Sequence, residues 1–292
     1  MEHEFDAYTK KDIVDTYTEP RQEIPVIDDV DVLVVGGSAS GVAAAISAAR
    51  NGAQVMLVER FGFLGGQSVF GSVTQWEKRA FINNLGAVAT RGIAKEMLDR
   101  IVARGNSDGL WETPPGCEEM RDGEEWLDVE DIKIVLVEMC EEEGVELLFH
   151  TLAVSTIVEN KSESDGGLPR LRGVIFENKT GRFAYKAKIV IDATADLDLV
   201  WDAIGEEGCN LEPPGNRIGA GFYVYYGGVD TETYVEEALK RDDLRGYPSP
   251  EKYPDKVRKH LREGKLIILA GFEDIMEKAD EKGYFEELEG LM

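Results

Sequence analysis

Six residues, Gly36-Gly37-Ser38-Ala39-Ser40-Gly41, stand between an apolar run ending in Val34-Val35 and a stretch of small helix formers over 41–51. A turn of this kind, opening a helix straight after a buried strand, suits a diphosphate. The first helical amides lack intrahelical acceptors and the helix dipole is positive at that end. Gly36 permits the tight turn and Gly41 the close approach of helix to sheet, while Ser38 takes the place of the usual middle glycine and adds a hydroxyl. Glu59 closes the next apolar run, Gln54–Val58, where a carboxylate can accept hydrogen bonds from ribose hydroxyls; an ordinary strand-end acid is the alternative reading. Arg60-Phe61-Gly62-Phe63-Leu64-Gly65-Gly66-Gln67-Ser68 follows at once. A second glycine-rich loop directly after the ribose acid suits a long dinucleotide, FAD, whose diphosphate and ring lie against backbone without bulky side chains. A plain surface turn is the alternative. A fourth segment, Ile191-Asp192-Ala193-Thr194-Ala195-Asp196, ends another apolar strand with small residues, where ligands sit in open α/β sheets. Thr194 is read there as a ligand contact or a turn cap.

The elements that must position these residues form a βαβ unit. Asp31–Val35 reads as a buried parallel strand, 41–51 as a helix stopped by Gly52, and Gln54–Val58 as a second strand. Helical spacing recurs over Ile93–Ala103, with Ile93, Met97, Leu98 and Ile101 on one face. Residues 105–127 read as loop. Asp128 reads as the N-cap of a helix that ends at Gly144. Val145–Phe149 is a strand, and 152–158, 172–177 and 182–187 form a β-meander before Lys188–Asp192 returns as a separate apolar strand. After residue 210 come an aromatic-rich strand over 219–226 and charged helical stretches over 231–241 and 272–287. The expected fold class is α/β: a Rossmann-type FAD/NAD(P)-binding fold with a central parallel sheet and a β-meander crossover, plus a partial α+β second domain. The expected divisions are an N-terminal arm (1–27), the nucleotide domain (28–210) and a partial substrate or cap domain (211–292), with the boundary near 205–215.

The 57 acidic against 32 basic residues, a formal net charge of -25, oppose binding to nucleic acid or an anionic membrane. No apolar run reaches the ~20 residues of a membrane span, and the polar N-terminus does not resemble a secretion signal. Cys117, Cys140 and Cys209 are widely spaced, so no disulfide scaffold, cysteine-ligated metal or iron–sulfur site is expected, and a cytoplasmic location fits. His3, His150 and His260 show no metal-ligand spacing; His150 reads as a strand-end residue and Cys140 as a small core residue.

From Val30 to about Val200 the chain resembles the FAD-dependent oxidoreductases of the glutathione-reductase-like superfamily, and more narrowly the heterodisulfide reductase A-like branch. The resemblance rests on Gly36–Gly41, Glu59-Arg60, Leu64-Gly65-Gly66, the DVEDIK start of a helix at 128–133, and IDATAD at 191–196, where Ala195 replaces a glycine. It implies a bound FAD. Gly36, Ser38 and Gly41 would hold the pyrophosphate and Glu59 the adenosine ribose, with Gly37, Ala39, Ser40 and Arg60 also among the cofactor-binding residues. Leu64, Gly65, Gly66 and Gln67 would lie along the diphosphate or near the ring, Val154 would offer its backbone to the adenine, and Ala193 and Thr194 would flank the adenosine half. It implies hydride or electron transfer at the flavin between an unidentified small substrate and an electron partner. Gln67, Ser68 and Arg91 are candidates for groups near the reacting centre, and Trp76, Tyr223, Tyr225 and Tyr226 for the pocket wall. Relatives with iron–sulfur clusters hold them through grouped cysteines, which this chain lacks. The family is usually longer and closes over the flavin with a later glycine-rich segment. That segment is not found here, so the expectation is a fragment, a truncated product, or one half of a split enzyme completed by a second chain or a homo-oligomer. An NAD-binding dehydrogenase and a nucleotide-binding subunit without turnover stay open as alternatives.

Overall fold

The computed structural model describes residues 17–76, 90–107, 125–159 and 169–205, with 209, 230, 233, 236, 245–247 and 268–270 beyond them. Strand β1 (Val26–Val35), helix α1 (Ala39–Arg50) and strand β2 (Val55–Val58) make the expected βαβ unit. Strands β3 (Gln75–Trp76) and β4 (Glu125–Trp126) form a short antiparallel pair on either side of helix α2 (Ile93–Ala103). Helix α3 (Val129–Glu142), strand β5 (Glu146–Leu148), the meander strands β6 (Leu152–Glu159), β7 (Arg170–Asn178) and β8 (Gly181–Asp192), and helix α4 (Asp198–Ile204) follow. Strands β9 (Arg245–Tyr247) and β10 (Ile268–Ala270) pair antiparallel. The main sheet has the order β5-β2-β1-β8-β7-β6, parallel from β5 to β8 and antiparallel from β8 to β6. This is an α/β Rossmann-type fold with a mixed sheet.

Alternation along β1 and β2 builds two cores, because successive side chains leave a strand on opposite faces. Val32, Val34, Val55 and Leu57 join Ile46, Leu98, Ile101, Ile132 and Leu136 of the three helices. Val30, Leu33, Val35, Met56 and Val58 join Val174, Phe176, Ala187 and Leu199 on the meander side. The helices are also tied by ions: Arg50 reaches Glu96 at 2.9 Å and Glu143 at 2.8 Å, and Arg104 reaches the buried Asp131 at 2.7 Å. Asp128 caps α3 as expected, accepting from the amides of Glu130 and Asp131 at 2.9 and 3.0 Å.

Three expectations are corrected. The arm does not reach residue 27: β1 begins at Val26, where Val26 and Ile27 already pair with Ala184 and Tyr185 before a register shift. The third meander strand and the returning strand are one, β8. Its first half, Gly181–Lys186, pairs antiparallel with β7, while Ala184–Asp192 pairs parallel with β1. Residues 125–126, expected as loop, pair with 75–76. The aromatic strand at 219–226, the later helices and the domain boundary fall outside the described residues, apart from Thr233 and Glu236, which are helical.

Candidate functional site: a double glycine turn at the strand ends

The register fixes the site. Val35 pairs with Val58 on one side and Asp192 on the other, so the residues that follow these strands, Gly36, Glu59 and Ala193, lie in one row at the carboxyl edge of the sheet. The row is held by backbone bonds: Gly36 N–H donates to Val58 O and Ala193 N–H to Val35 O, both at 2.8 Å. Gly36 has φ +102°, a region that favours glycine. A Cβ there would also meet Ala193 C at 2.6 Å and Thr194 N at 2.9 Å, backbone that has no room to retreat.

The two glycine loops that the sequence placed together touch. Gly65 N–H donates to Gly37 O at 2.8 Å, and a Cβ on Gly66 would stand 2.9 Å from Ser38 Cβ. Ser38 caps α1 weakly, its Oγ accepting from Gly41 N–H at 3.3 Å and lying 2.8 Å from Ser40 Oγ. Among the described residues the amides of Ser38, Ala39 and Ser40 have no protein acceptor, whereas those of Gly37, Gly41 and Val42 do. Three free amides opening a helix beside a wall of glycines fit a diphosphate.

Glu59 is buried and turned inward. Its Oε2 accepts from Gly37 N–H at 2.6 Å and its Oε1 from Phe61 N–H at 2.8 Å. A carboxylate has about four acceptor sites, so two remain for hydroxyls of a ligand. Leu64 is fully buried, and its Cδ2 would stand 2.5 Å from a Gly37 Cβ. Leu64 therefore supports the turn from below and exposes no surface of its own. Gln67 is exposed and folds its amide over Gly71. Ser68 is engaged by Trp76, whose Nε1 donates to its Oγ at 2.9 Å. Arg91 is exposed ahead of α2. Tyr223, Tyr225 and Tyr226 lie outside the described residues.

At the third strand end, Thr194 caps the turn. Its Oγ1 donates to Asp192 Oδ1 at 2.6 Å and accepts from Asp198 N–H at 2.8 Å. Asp192 Oδ2 accepts from Leu199 and Val200 N–H at 3.0 and 3.1 Å, which fastens α4 to the end of β8. Asp198 reaches the surface, yet its carboxyl is held above the usual carboxylate range. Desolvation is the main cause, Asp196 and Asp192 add to it, and Arg60 opposes it. The Arg60 guanidinium lies 4.8 Å from the Phe61 ring centroid. Val154 lies on β6, the other rim of the sheet, where the ladder passes from Ala153 to Ser155 and leaves it without a residue opposite.

Sequence reasoning missed an aromatic stack beside the second loop. Phe61 stacks on Phe63 at 5.4 Å and on Phe70 at 4.5 Å, and Lys133 lies 5.7 Å from the Phe63 ring. The three phenylalanines were visible in the sequence, but only the loop's path makes their rings parallel. His150, expected as a strand-end residue, follows β5 with φ +52° and lies against Gly62. Cys140 is fully buried and its thiol is pushed up to about 12 by that burial. Among the described residues no group of three or more His, Cys, Asp or Glu could hold a metal ion, and no helix is long and apolar enough to cross a membrane.

The fold and this edge define a flavin-type dinucleotide-binding architecture. The model of the family described as FAD dependent oxidoreductase matches residues 31–246 of the 292, and the chain belongs to that family. No curated protein matches it. Among solved structures it is similar to THI4 of Thermovibrio ammonificans, with 20% identity over 63% of this chain and 64% of that one and a TM-score of 0.43. It is also similar to a geranylgeranyl bacteriochlorophyll reductase-like protein of Thermoplasma acidophilum, with 19% identity over 65% and 44% and a TM-score of 0.40. The myxobacterial chondrochloren halogenase CndH, FAD-dependent by its description, matches at 19% identity over 59% and 38%, with a TM-score of 0.40. The matched part of the chain spans less than two thirds of each of these proteins.

Proposed function

We propose that this chain binds FAD across the carboxyl edge of its sheet and serves a flavin-dependent oxidoreductase of the heterodisulfide reductase A-like branch. The observation that carries the reading is the Gly65-to-Gly37 hydrogen bond, which joins both glycine loops beside the three free amides of Ser38, Ala39 and Ser40. Those amides would hold the diphosphate. Glu59 would take the adenosine ribose on its two remaining acceptor sites, and Arg60, Val154, Ala193 and Thr194 would surround the adenosine half, Thr194 through its backbone. Gly65, Gly66 and Gln67 would run along the diphosphate toward the ring. When bound, the flavin supplies hydride or electron transfer between a small substrate and an electron partner.

The chain's own part is binding and orientation. The Glu59 carboxylate fixes the turn by accepting from Gly37 and Phe61, so a ribose meets an acceptor that is already placed. An added 2′-phosphate would be repelled by the same charge. The acidic composition suits a cytoplasmic protein that acts on small molecules, alone, as a homo-oligomer, or with a second chain. The test is direct. The purified chain, or the chain reconstituted with FAD, is expected to show flavin absorbance that bleaches with a reductant. A chain that stays colourless after reconstitution overturns the reading.

A further inference from the structure

Strand β6 is the terminal strand of the sheet, and its outer edge is partly covered by α4. The cover is anchored by one carboxylate. Asp202 Oδ2 accepts from Thr156 N–H at 2.6 Å, from Thr156 Oγ1 at 2.6 Å and from Ser155 Oγ at 3.2 Å. The other end of α4 is tied to the carboxyl end of β8 by Asp192, through the amides of Leu199 and Val200. Helix α4 is therefore a strap. It joins the strand end that carries Ala193 to the rim that carries Val154, and it starts at Asp198, close enough to Arg60 to feel its charge.

The strap meets β6 next to its irregularity. The ladder to β7 runs Ala153–Phe176 and then Ser155–Ile175, so Val154 is the extra residue of a bulge, and Asp202 grips the two residues that follow it. Bulges re-aim the backbone of an edge strand and persist where neighbours fix them. A backbone N–H and C=O released from the ladder can meet the acceptor and donor on the Watson–Crick edge of an adenine.

We infer that Asp202 is a positioning residue that holds the Val154 bulge toward the adenine, so that it sets affinity for the adenosine half of a flavin dinucleotide and has no part in holding the flavin half. This rests on the proposed FAD reading. The chemistry expected to depend on Asp202 is recognition of an ADP moiety; FMN, which lacks it, is the control.

The test uses the full 292-residue chain, wild type and Asp202→Ala, with FAD and FMN titrated by flavin fluorescence and ADP by calorimetry. The expected result is a rise of about tenfold in Kd for both FAD and ADP, the scale of one charge-assisted hydrogen bond, or roughly 1.4 kcal/mol. The Kd for FMN is expected to stay as in the wild type, while the urea midpoint of the ligand-free chain falls with the loss of the bonds to Ser155 and Thr156. Hydrogen exchange is expected to quicken at Thr156 and to lose its ADP-dependent slowing over 152–158. Unchanged ADP affinity in Asp202→Ala overturns the inference, as does an equal loss for FMN, which would mark a general structural role. Should Asp202→Ala not fold, Thr156→Val removes the hydroxyl contact without touching the carboxylate, and the same series then decides. A wild-type chain that binds ADP but not FAD removes the flavin reading and leaves the role of Asp202 standing. One that binds neither removes both.

Discussion

Replacing Gly36 by alanine separates two effects that usually arrive together: the cost of a left-handed φ and the cost of a blocked approach. At φ +102° a side chain costs about 1–3 kcal/mol. Its Cβ would also press on Ala193 C at 2.6 Å and Thr194 N at 2.9 Å. Relief would part the ends of β1 and β8 and weaken the two 2.8 Å bonds from Gly36 to Val58 and from Ala193 to Val35, each worth about 1 kcal/mol net. The expected loss is therefore about 4 kcal/mol, a large share of the roughly 5–15 kcal/mol that holds a domain together. Gly52 is the control. It has φ +85° with nothing within 4 Å of an added Cβ, so Gly52→Ala should cost only about 1 kcal/mol. Gly41 is the converse. It lies outside the left-handed region, but its Cβ would press on the Gly36 carbonyl, so Gly41→Ala should cost about 2–3 kcal/mol from crowding alone. Urea unfolding followed by far-ultraviolet circular dichroism, with slopes compared between variants, measures all three. A Gly36→Ala variant within about 1 kcal/mol of Gly52→Ala would refute the claim that this turn is held by contact with the Ala193 backbone.

Other expectations follow from single groups. Thr74 is fully buried and its Oγ1 has no partner among the described residues, so Thr74→Val, of the same shape, should leave stability unchanged or raise it by about 1 kcal/mol in urea unfolding; a loss above that would show that the hydroxyl is satisfied. Glu59→Gln puts an NH2 where an oxygen now accepts from Gly37 or Phe61, and should destabilise the ligand-free chain by about 1–3 kcal/mol by leaving an amide unpaired. An unchanged urea midpoint would show that the acid is not part of the turn. Asp198 binds its proton more tightly folded than unfolded, because desolvation first and then Asp196 and Asp192 raise its pKa. Its charge therefore opposes folding above its folded pKa, and that opposition fades as pH falls through the window down to the unfolded value near 3.9. Asp198→Asn should accordingly be the more stable protein at pH 7, with the difference closing below about pH 4; a gain that grows on acidification contradicts the assignment. Cys140, its thiol held near 12 by burial, should resist iodoacetamide at pH 8 until the chain is unfolded. Mass spectrometry of the alkylated peptide decides this, and labelling of the folded chain would be the contrary result.

The local signals were legible and the non-local ones were not. Helix α2 was readable to its end residues because Met97, Leu98 and Ile101 recur at helical spacing and all three are buried. The Asp128 cap was readable because a cap acts within three residues. The start of β1 was hidden by Asp28 and Asp29, polar residues ahead of the run that reads as strand from Asp31. What makes Val26 and Ile27 strand is a partner about 158 residues away, Ala184 and Tyr185. The unity of β8 was hidden in the same way. Lys186 and Lys188 interrupt its apolar run and Ile189 is largely exposed, so the periodicity breaks where the strand does not. Strands β3 and β4, two residues each, have no period to detect. In the site, Gly36, Glu59 and the Gly65-Gly66 pair were found by spacing. The inward turn of Glu59, the capping role of Thr194 and the reach of Asp202 to β6 needed the folded chain, because each joins residues that only the sheet brings together.

The serine at position 38 shows how the two glycine loops act as one device. In the usual pattern the middle glycine keeps the turn free of a side chain where the phosphates approach. Ser38 has ordinary angles, φ −68° and ψ 171°, so the backbone does not demand glycine there; only the approach would. That space is supplied from the opposite side. Gly66 adopts φ +49° and faces Ser38 with no Cβ, and any side chain on it would meet Ser38 Cβ at 2.9 Å. The second loop therefore carries the smallness that the first gives up, and the Ser38 hydroxyl is free to cap Gly41 and pair with Ser40. The two positions should then be coupled: Gly66→Ala is expected to be harmful beside Ser38 and much less so beside Ser38→Gly. Were the two losses simply additive, the loops would be independent turns and the groove between them would not be built by their contact.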